Sequence, residues 1–172
     1  MVPVALNSHH RSWCSLLSGA ILALLVGCGT VPLDAQPPAE FNLSGQWALD
    51  TSVSSPLVDN RGASFRSGFM IQDFPLLVTR NMRIEQDARS MGIEYEKGSY
   101  RDVTWGDRRR GIWEVRAGWY EGDLHIYSKA PDTSATEIWH LSEDGQQLDI
   151  SIEVRGERTR NFERSFRRSA GL

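Results

Sequence analysis

The sequence is poor in cysteine. Among its 172 residues, only Cys14 and Cys28 are cysteines, and Cys14 lies in a segment that we expect to be removed. The remaining chain then holds a single thiol, so it can form no disulfide within itself, even in an oxidising compartment. The folded part must therefore be stabilised by its apolar core.

Motifs of common catalytic and nucleotide-binding sites are also missing. The sequence contains neither a Gly-x-Ser-x-Gly segment nor a Gly-x-Gly-x-x-Gly segment. His125 and His140 lie on neighbouring predicted strands, but the alternation of apolar residues turns at least one of them toward solvent. We therefore predict no catalytic residue, no metal site and no cofactor, and we expect that the protein is not an enzyme.

An excess of basic residues is absent. The formal net charge is −3, and beyond residue 27 the chain holds 18 Lys and Arg against 22 Asp and Glu. Proteins that bind nucleic acid usually carry a basic surface. The charge balance therefore predicts no nucleic-acid partner.

No apolar run is long enough to span a membrane. The uncharged run covers residues 13–26 and follows Arg11, whereas a transmembrane helix needs about 20 apolar residues. A run of this length behind a basic residue is typical of a secretory signal peptide. We predict that residues 1–27 are a cleaved signal peptide.

The end of this run is the segment Leu25-Val26-Gly27-Cys28, which resembles the lipobox of bacterial lipoproteins. The resemblance implies that Cys28 becomes the first mature residue and carries acyl chains such as palmitate, which anchor the protein in a membrane. It also favours the periplasmic face of the outer membrane, because Gly29 is not the Asp that tends to retain lipoproteins at the inner membrane. The prolines within residues 28–40 predict a flexible tether.

Residues 41–172 show the period-two pattern of β-strands, with short turns and no amphipathic helix. We predict an all-β domain, an antiparallel meander of eight to nine strands closed into a barrel; a two-sheet β-sandwich is the alternative. In this interpretation Gly106 ends a strand, Arg108–Arg110 form a basic cluster in a turn, and Phe69–Ile71 are an apolar patch in a long loop.

The first predicted strand contains Gly45-Gln46-Trp47, which resembles the opening of lipocalin and calycin barrels. The resemblance implies that Trp47 packs across one barrel end, against an Arg from the last strand. Arg164 and Arg167 are the candidates for that contact.

The interior of such a barrel suggests two functions. Trp113, Val115, Trp119 and Trp139 are candidates to line a cavity for a small apolar or amphipathic ligand. Alternatively, side chains fill the barrel, and the protein is a structural lipoprotein that contacts other envelope proteins through its surface.

Overall fold

The computed structural model describes residues 31–58, 74–96 and 98–169. The predicted signal peptide, Cys28 and the Phe69–Ile71 patch lie outside these residues. Within them, no helix is long and apolar enough to cross a membrane. A short 3₁₀ helix covers Pro75–Leu77. The ten strands are β1 (Gly45–Leu49), β2 (Asn81–Gln86), β3 (Ser90–Tyr95), β4 (Tyr100–Thr104), β5 (Gly106–Arg110), β6 (Trp113–Tyr120), β7 (Asp123–Lys129), β8 (Ser134–Leu141), β9 (Gln147–Arg155) and β10 (Thr159–Ser169).

All ten strands belong to one antiparallel sheet, in the order β4-β3-β2-β1-β10-β9-β8-β7-β6-β5. Its two edge strands, β4 and β5, are consecutive in the chain and are joined through Trp105 alone. Because one residue links the two edges, the sheet must curl round until they meet, which makes a nearly closed barrel. The predicted all-β meander barrel is confirmed. A sandwich is excluded, since a single sheet holds every strand of the described residues.

Alternation of apolar residues decides which face of each strand turns inward. In β9, Leu148, Ile150, Ile152 and Val154 are all buried, while the residues between them are less buried or exposed. A strand places successive side chains on opposite faces, so these four residues form a continuous apolar wall of the barrel. The strand pairing carries the same phase to β8 and β10.

The barrel has one strand more than the highest predicted count, because Arg108–Arg110 belong to β5 and not to a turn. This strand pairs along its whole length with β6, from Gly106 opposite Ala117 to Arg110 opposite Trp113. The sequence pattern hides it because none of its residues is apolar. An edge strand tolerates such charge, since one of its sides has no partner strand.

Part of the predicted tether lies on the barrel. Asp34 and Trp119 exchange two backbone hydrogen bonds, with N···O distances of 2.8 and 2.9 Å. A side chain at Gly118 would collide with this segment, because a Cβ atom there would lie 2.4 Å from the Asp34 carbonyl oxygen. Backbone pairing thus fixes the chain at Asp34, and the flexibility of the rest of the tether predicted for residues 28–40 stays a prediction.

Candidate functional site

The barrel interior contains a buried ion pair between opposite walls. Arg101 projects from β4 and Glu137 from β8, and their side chains are 8% and 1% exposed. The Arg101 Nη1 atom lies 2.8 Å from Glu137 Oε1 and 3.0 Å from Oε2. Trp139 adds a hydrogen bond from its indole Nε1 to Glu137 Oε2, at 3.1 Å. The carboxylate is thus held by two donors in an apolar surrounding.

The electrostatics of this cluster keep its donors protonated. Burial is the largest single influence and lowers the pKa of Arg101, but the attractions and hydrogen bonds of Glu137 and Tyr95 together outweigh it and raise that pKa overall. Burial raises the pKa of the Tyr95 hydroxyl to about 12, against the opposing charges of Arg101 and Arg110. Tyr95 is therefore a neutral hydrogen-bond donor at physiological pH.

Several buried polar atoms beside this cluster have no hydrogen-bond partner of good geometry within the described part of the chain. Four of these atoms concern the barrel interior. Three belong to side chains that strand register turns inward, and the fourth belongs to Trp105, which links β4 to β5. Buried donors are nearly always satisfied in native proteins, by protein, water or ligand. The four atoms are Tyr95 Oη, Trp105 Nε1, Trp119 Nε1 and Arg164 Nε.

The barrel opens to the side where β4 and β5 meet without forming a ladder. A groove of about 240 Å³ lies there, with Val103 and Val115 among its lining residues. Its charged lining residues comprise one acid and four bases: Asp102, Arg101, Arg108, Arg109 and Arg110. Arg101 lines this groove and also binds Glu137, so one side chain belongs both to the opening and to the interior cluster.

The guanidinium of Arg108 spans this opening. Arg108 lies on β5 opposite the inward-facing Val115, yet it donates a hydrogen bond to the Thr104 hydroxyl on β4. It also lies 4.0 Å from a carboxylate oxygen of Asp102. One side chain therefore bridges the two edge strands where backbone bonds are missing.

A larger depression, of about 720 Å³, lies against β1, β2 and β3. It is wide open to solvent, and its lining includes Arg83, Glu94 and Glu96. Its charges of both signs and its exposure give no enclosed apolar volume. We therefore place the candidate site in the barrel interior and at the β4–β5 opening.

Strand register turns Trp113, Val115, Trp119 and Trp139, the predicted ligand-lining residues, toward the interior. They do not form one cluster. The Trp119 ring packs edge-on against Trp105, with centroids 4.5 Å apart, and the Trp113 ring packs on Phe74 at 5.5 Å. Val115 lines the opening, and Trp139 binds Glu137. Contact of these residues with a ligand stays a prediction.

The predicted pair at the barrel end needs a correction. The guanidinium carbon over the Trp47 ring belongs to Arg168, 4.4 Å from the ring centroid, because β1 and β10 pair with Trp47 opposite Arg168. Arg167 faces outward and binds Asp50 at 2.9 Å. Arg164 is buried and donates to main-chain carbonyls, at 2.8 Å to Ser55 and 2.9 Å to Leu77. The role predicted for Arg164 or Arg167 thus falls to Arg168.

Both histidines lie on the outer face. His140 binds Asp123 at 2.7 Å and is well exposed, while His125 packs beside Tyr127. Burial lowers the pKa of His125, which favours the neutral form of its imidazole. Within residues 31–58, 74–96 and 98–169, no group of three or more His, Cys, Asp or Glu is arranged to hold a metal ion.

The interior cluster was missed by reasoning from the sequence. Its signal was present at Glu137, an acid that stands in phase with the apolar Ala135 and Trp139. An acid on the buried face of a strand requires a buried partner. Nothing in the local pattern identifies that partner as Arg101, because the two residues are 36 positions apart.

No protein-family model and no curated protein sequence matches the chain. Among solved structures, the chain is similar to the REP1-NXSQ fatty acid transporter, with 16% identity, a TM-score of 0.48, and coverage of 76% of this chain and 98% of that one. It is also similar to the fluorescent protein UnaG, with 13% identity, a TM-score of 0.46, and coverage of 74% and 97%.

A third similar structure is a heat-soluble protein from Ramazzottius varieornatus, with 13% identity, a TM-score of 0.44, and coverage of 74% and 95%. These likenesses concern the course of the backbone.

Proposed function

We propose that this protein is a lipid-anchored binding protein of the bacterial envelope that holds a small amphipathic ligand in its barrel. The observation that carries the proposal is the set of buried donors without partners, among them Tyr95 and Trp119, beside apolar walls. Small-molecule sites typically combine apolar walls with a few polar groups that orient the ligand. An apolar tail fits the walls, and a polar group fits the donors.

A series of alkyl alcohols of increasing chain length tests the binding. Each methylene buried in the barrel contributes about 0.8 kcal/mol, so the affinity should rise about fourfold per carbon until the interior is full. Titration calorimetry on the purified domain measures this slope. An affinity that is absent or independent of chain length would contradict the proposal.

Two matched substitutions locate the bound ligand. Ala117 is fully buried and faces the interior from β6, whereas Ala48 is half-buried and faces outward from β1. We expect Ala117→Phe to abolish alcohol binding and Ala48→Phe to leave it unchanged. If the interior is instead filled by its own side chains, Ala117→Phe destabilises the fold by about 1–3 kcal/mol and no alcohol binds to either protein. That result favours the structural or interaction role.

The proposed anchor is Cys28, acylated and facing the periplasm at the outer membrane, and it follows from the lipobox-like segment. Two or more acyl chains give stable membrane attachment. In a bacterial host, Cys28→Ser should move the protein from the membrane fraction to the soluble fraction, and the mass added by acylation should disappear. If the Cys28→Ser protein stays in the membrane fraction, the anchor is refuted and the binding proposal is unaffected.

The proposed role is binding and not catalysis. In the described part of the chain, the outward-facing His125 and His140 lie away from the buried polar cluster. The cluster itself contains an ion pair, an indole and a phenol. Its carboxylate is held by Arg101 and its phenol has a pKa raised to about 12, so both are poor nucleophiles and better suited to orient a bound group. Envelope proteins and the membrane are the further partners that we propose.

A further inference from the structure

The cations at the β4–β5 opening outnumber the acids. Glu137 neutralises Arg101, and Asp102 lies at the limit of ion-pair distance from Arg108. Arg110 has no ion-pair partner among the described residues. An arginine without a carboxylate at the mouth of a barrel makes a local excess of positive charge, which attracts and binds anions.

Strand register directs this charge inward. Arg110 pairs with Trp113, whose ring belongs to the interior face, so both side chains leave the sheet on the same side. The Tyr95 hydroxyl, 2% exposed on β3, has no partner of good geometry. Tyr95 follows Ile93 by two residues on β3, so it shares a face with Ile93 and with Arg101, the strand partner of Ile93. Arg101 and Arg110 both line the groove. The charge of Arg110 partly opposes the rise in pKa that burial causes at the Tyr95 hydroxyl. A cation and a hydroxyl proton without an acceptor therefore lie at the same opening.

Apolar surface begins immediately beyond these groups. Val103 and Val115 line the groove, and Ile126 on the inner wall is fully buried. A ligand with an anionic group at the opening would thus lay its apolar part along the inner wall. A free anion would leave this apolar surface unused.

We propose that the β4–β5 opening binds the anionic headgroup of an amphipathic ligand, with Arg110 and Arg108 binding its oxygen atoms and the Tyr95 hydroxyl donating a hydrogen bond. This assignment rests on the proposed binding function and names its ligand class, an alkyl chain that ends in a carboxylate or a phosphate. Both headgroups present the same oxyanion chemistry to a guanidinium. The headgroup of a bound ligand thus lies at the side of the barrel, in the β4–β5 opening.

Four probes separate this proposal from the binding function itself: dodecanol, dodecanoate, dodecyl phosphate and inorganic phosphate. We expect dodecanoate, dodecyl phosphate or both to bind about tenfold more tightly than dodecanol. The difference should shrink at high salt, since exposed guanidiniums are screened. Equal binding of the three alkyl probes would overturn the headgroup site and leave the binding function intact. Binding of none would overturn the binding function. Whichever of dodecanoate and dodecyl phosphate binds more tightly identifies the headgroup as a carboxylate or a phosphate.

Inorganic phosphate distinguishes a headgroup from a free anion. We expect it to compete with dodecyl phosphate only weakly, because it lacks the chain that fills the barrel. If it binds as tightly as dodecyl phosphate, the opening is a site for a free anion and the headgroup assignment fails.

Three variants identify the residues. Arg110→Gln should lower the ratio of anionic-probe affinity to dodecanol affinity about tenfold, because the lost guanidinium binds only the charged headgroup. Arg155→Gln is the control, since Arg155 is an exposed arginine on the outer face of β9. Tyr95→Phe should lower anion affinity about threefold to tenfold with only a small change in melting temperature, because the deleted hydroxyl contacts Arg101 but makes no hydrogen bond of good geometry. Equal losses in Arg110→Gln and Arg155→Gln, or a preference unchanged in both Arg110→Gln and Tyr95→Phe, would overturn the assignment.

Discussion

Two groups of arginines face the interior of this barrel, and their surroundings differ. On β10, Arg164 and Arg168 donate to main-chain carbonyls of neighbouring loops and turns. On β5, Arg108 reaches one hydroxyl and a distant carboxylate, and Arg110 has no ion-pair partner among the described residues. The first group closes a barrel end, and the second lines an opening.

The difference shows that residue type alone does not decide the role of an arginine. A guanidinium has five N–H donors and binds whatever acceptors surround it. The main-chain carbonyls of Pro56 and Leu77 accept hydrogen bonds from Arg164 Nη2, so this part of the guanidinium is used within the protein, while Nε has no partner among the described residues. At β5, a missing strand partner leaves donors free for another molecule. The Arg101–Glu137 pair stands between these cases, buried like the first group and charged at the opening like the second.

The largest expected effect comes from breaking the buried pair. Glu137→Gln leaves Arg101 buried without a counter-charge, which should lower the free energy of unfolding by about 3–5 kcal/mol. Urea denaturation measures the change. Glu153→Gln, the same substitution on a less buried acid at a surface ion pair of β9, should cost no more than about 1 kcal/mol. Equal costs for the two variants would show that the interior pair is not desolvated.

The next effect is at the closed end of the barrel. Arg164→Leu leaves the carbonyls of Ser55 and Leu77 without their donors, which should cost about 2–4 kcal/mol. Arg167→Leu, three positions along the same strand, loses an exposed ion pair and should cost at most about 1 kcal/mol. Arg164→Lys should not preserve stability, because a single ammonium group cannot reach both carbonyls in the way that the two nitrogen atoms of the planar guanidinium do. Full rescue by Lys would contradict the carbonyl-clamp role of Arg164.

A smaller effect is expected for the cation over Trp47. A double-mutant cycle of Arg168→Leu and Trp47→Leu isolates the contact, with an expected coupling of about 0.5–2 kcal/mol. The single Arg168→Leu variant should cost more than this coupling, because Arg168 also donates to the carbonyls of Asn42 and Gly145. A coupling near zero would mean that the stacked geometry adds nothing beyond those hydrogen bonds.

The smallest effect on stability should come from the opening. Arg110→Gln should change the free energy of unfolding by less than about 0.5 kcal/mol, because the side chain is exposed and makes no ion pair with a described residue. Chemical denaturation of the ligand-free protein measures this. A cost above about 1 kcal/mol would place Arg110 with the structural arginines of β10 and would remove the contrast between the two groups.

The sequence predicts the sheet far better than the site. Period-two alternation in β6, β7 and β9 indicates the strands directly, and Glu121-Gly122, both with positive φ, form the tight turn between β6 and β7. The alternation fails at β5, which has no apolar residue. It also leaves the strand register open. Register decides that Arg168, and not Arg164 or Arg167, meets Trp47.

The polar interior depends on contacts between distant parts of the chain. Arg101 and Glu137 belong to strands that are six places apart in the sheet, so only closure of the barrel brings them together. No local pattern encodes such a meeting. An acid in phase with apolar residues indicates that a buried cationic or hydrogen-bonding partner exists, and the three-dimensional structure identifies that partner.

The pairing of β1 with β10 has a consequence for how the chain folds. Trp47 and Arg168 are partners across 121 residues, whereas the hairpins from β6 to β9 form between neighbours. Contacts of long sequence separation are slow to form because a large loop must close first. We therefore expect the β6–β9 hairpins to assemble early and the β1–β10 seam to be the last ladder to close. Until it does, both of these strands expose unpaired edges, and such edges favour aggregation.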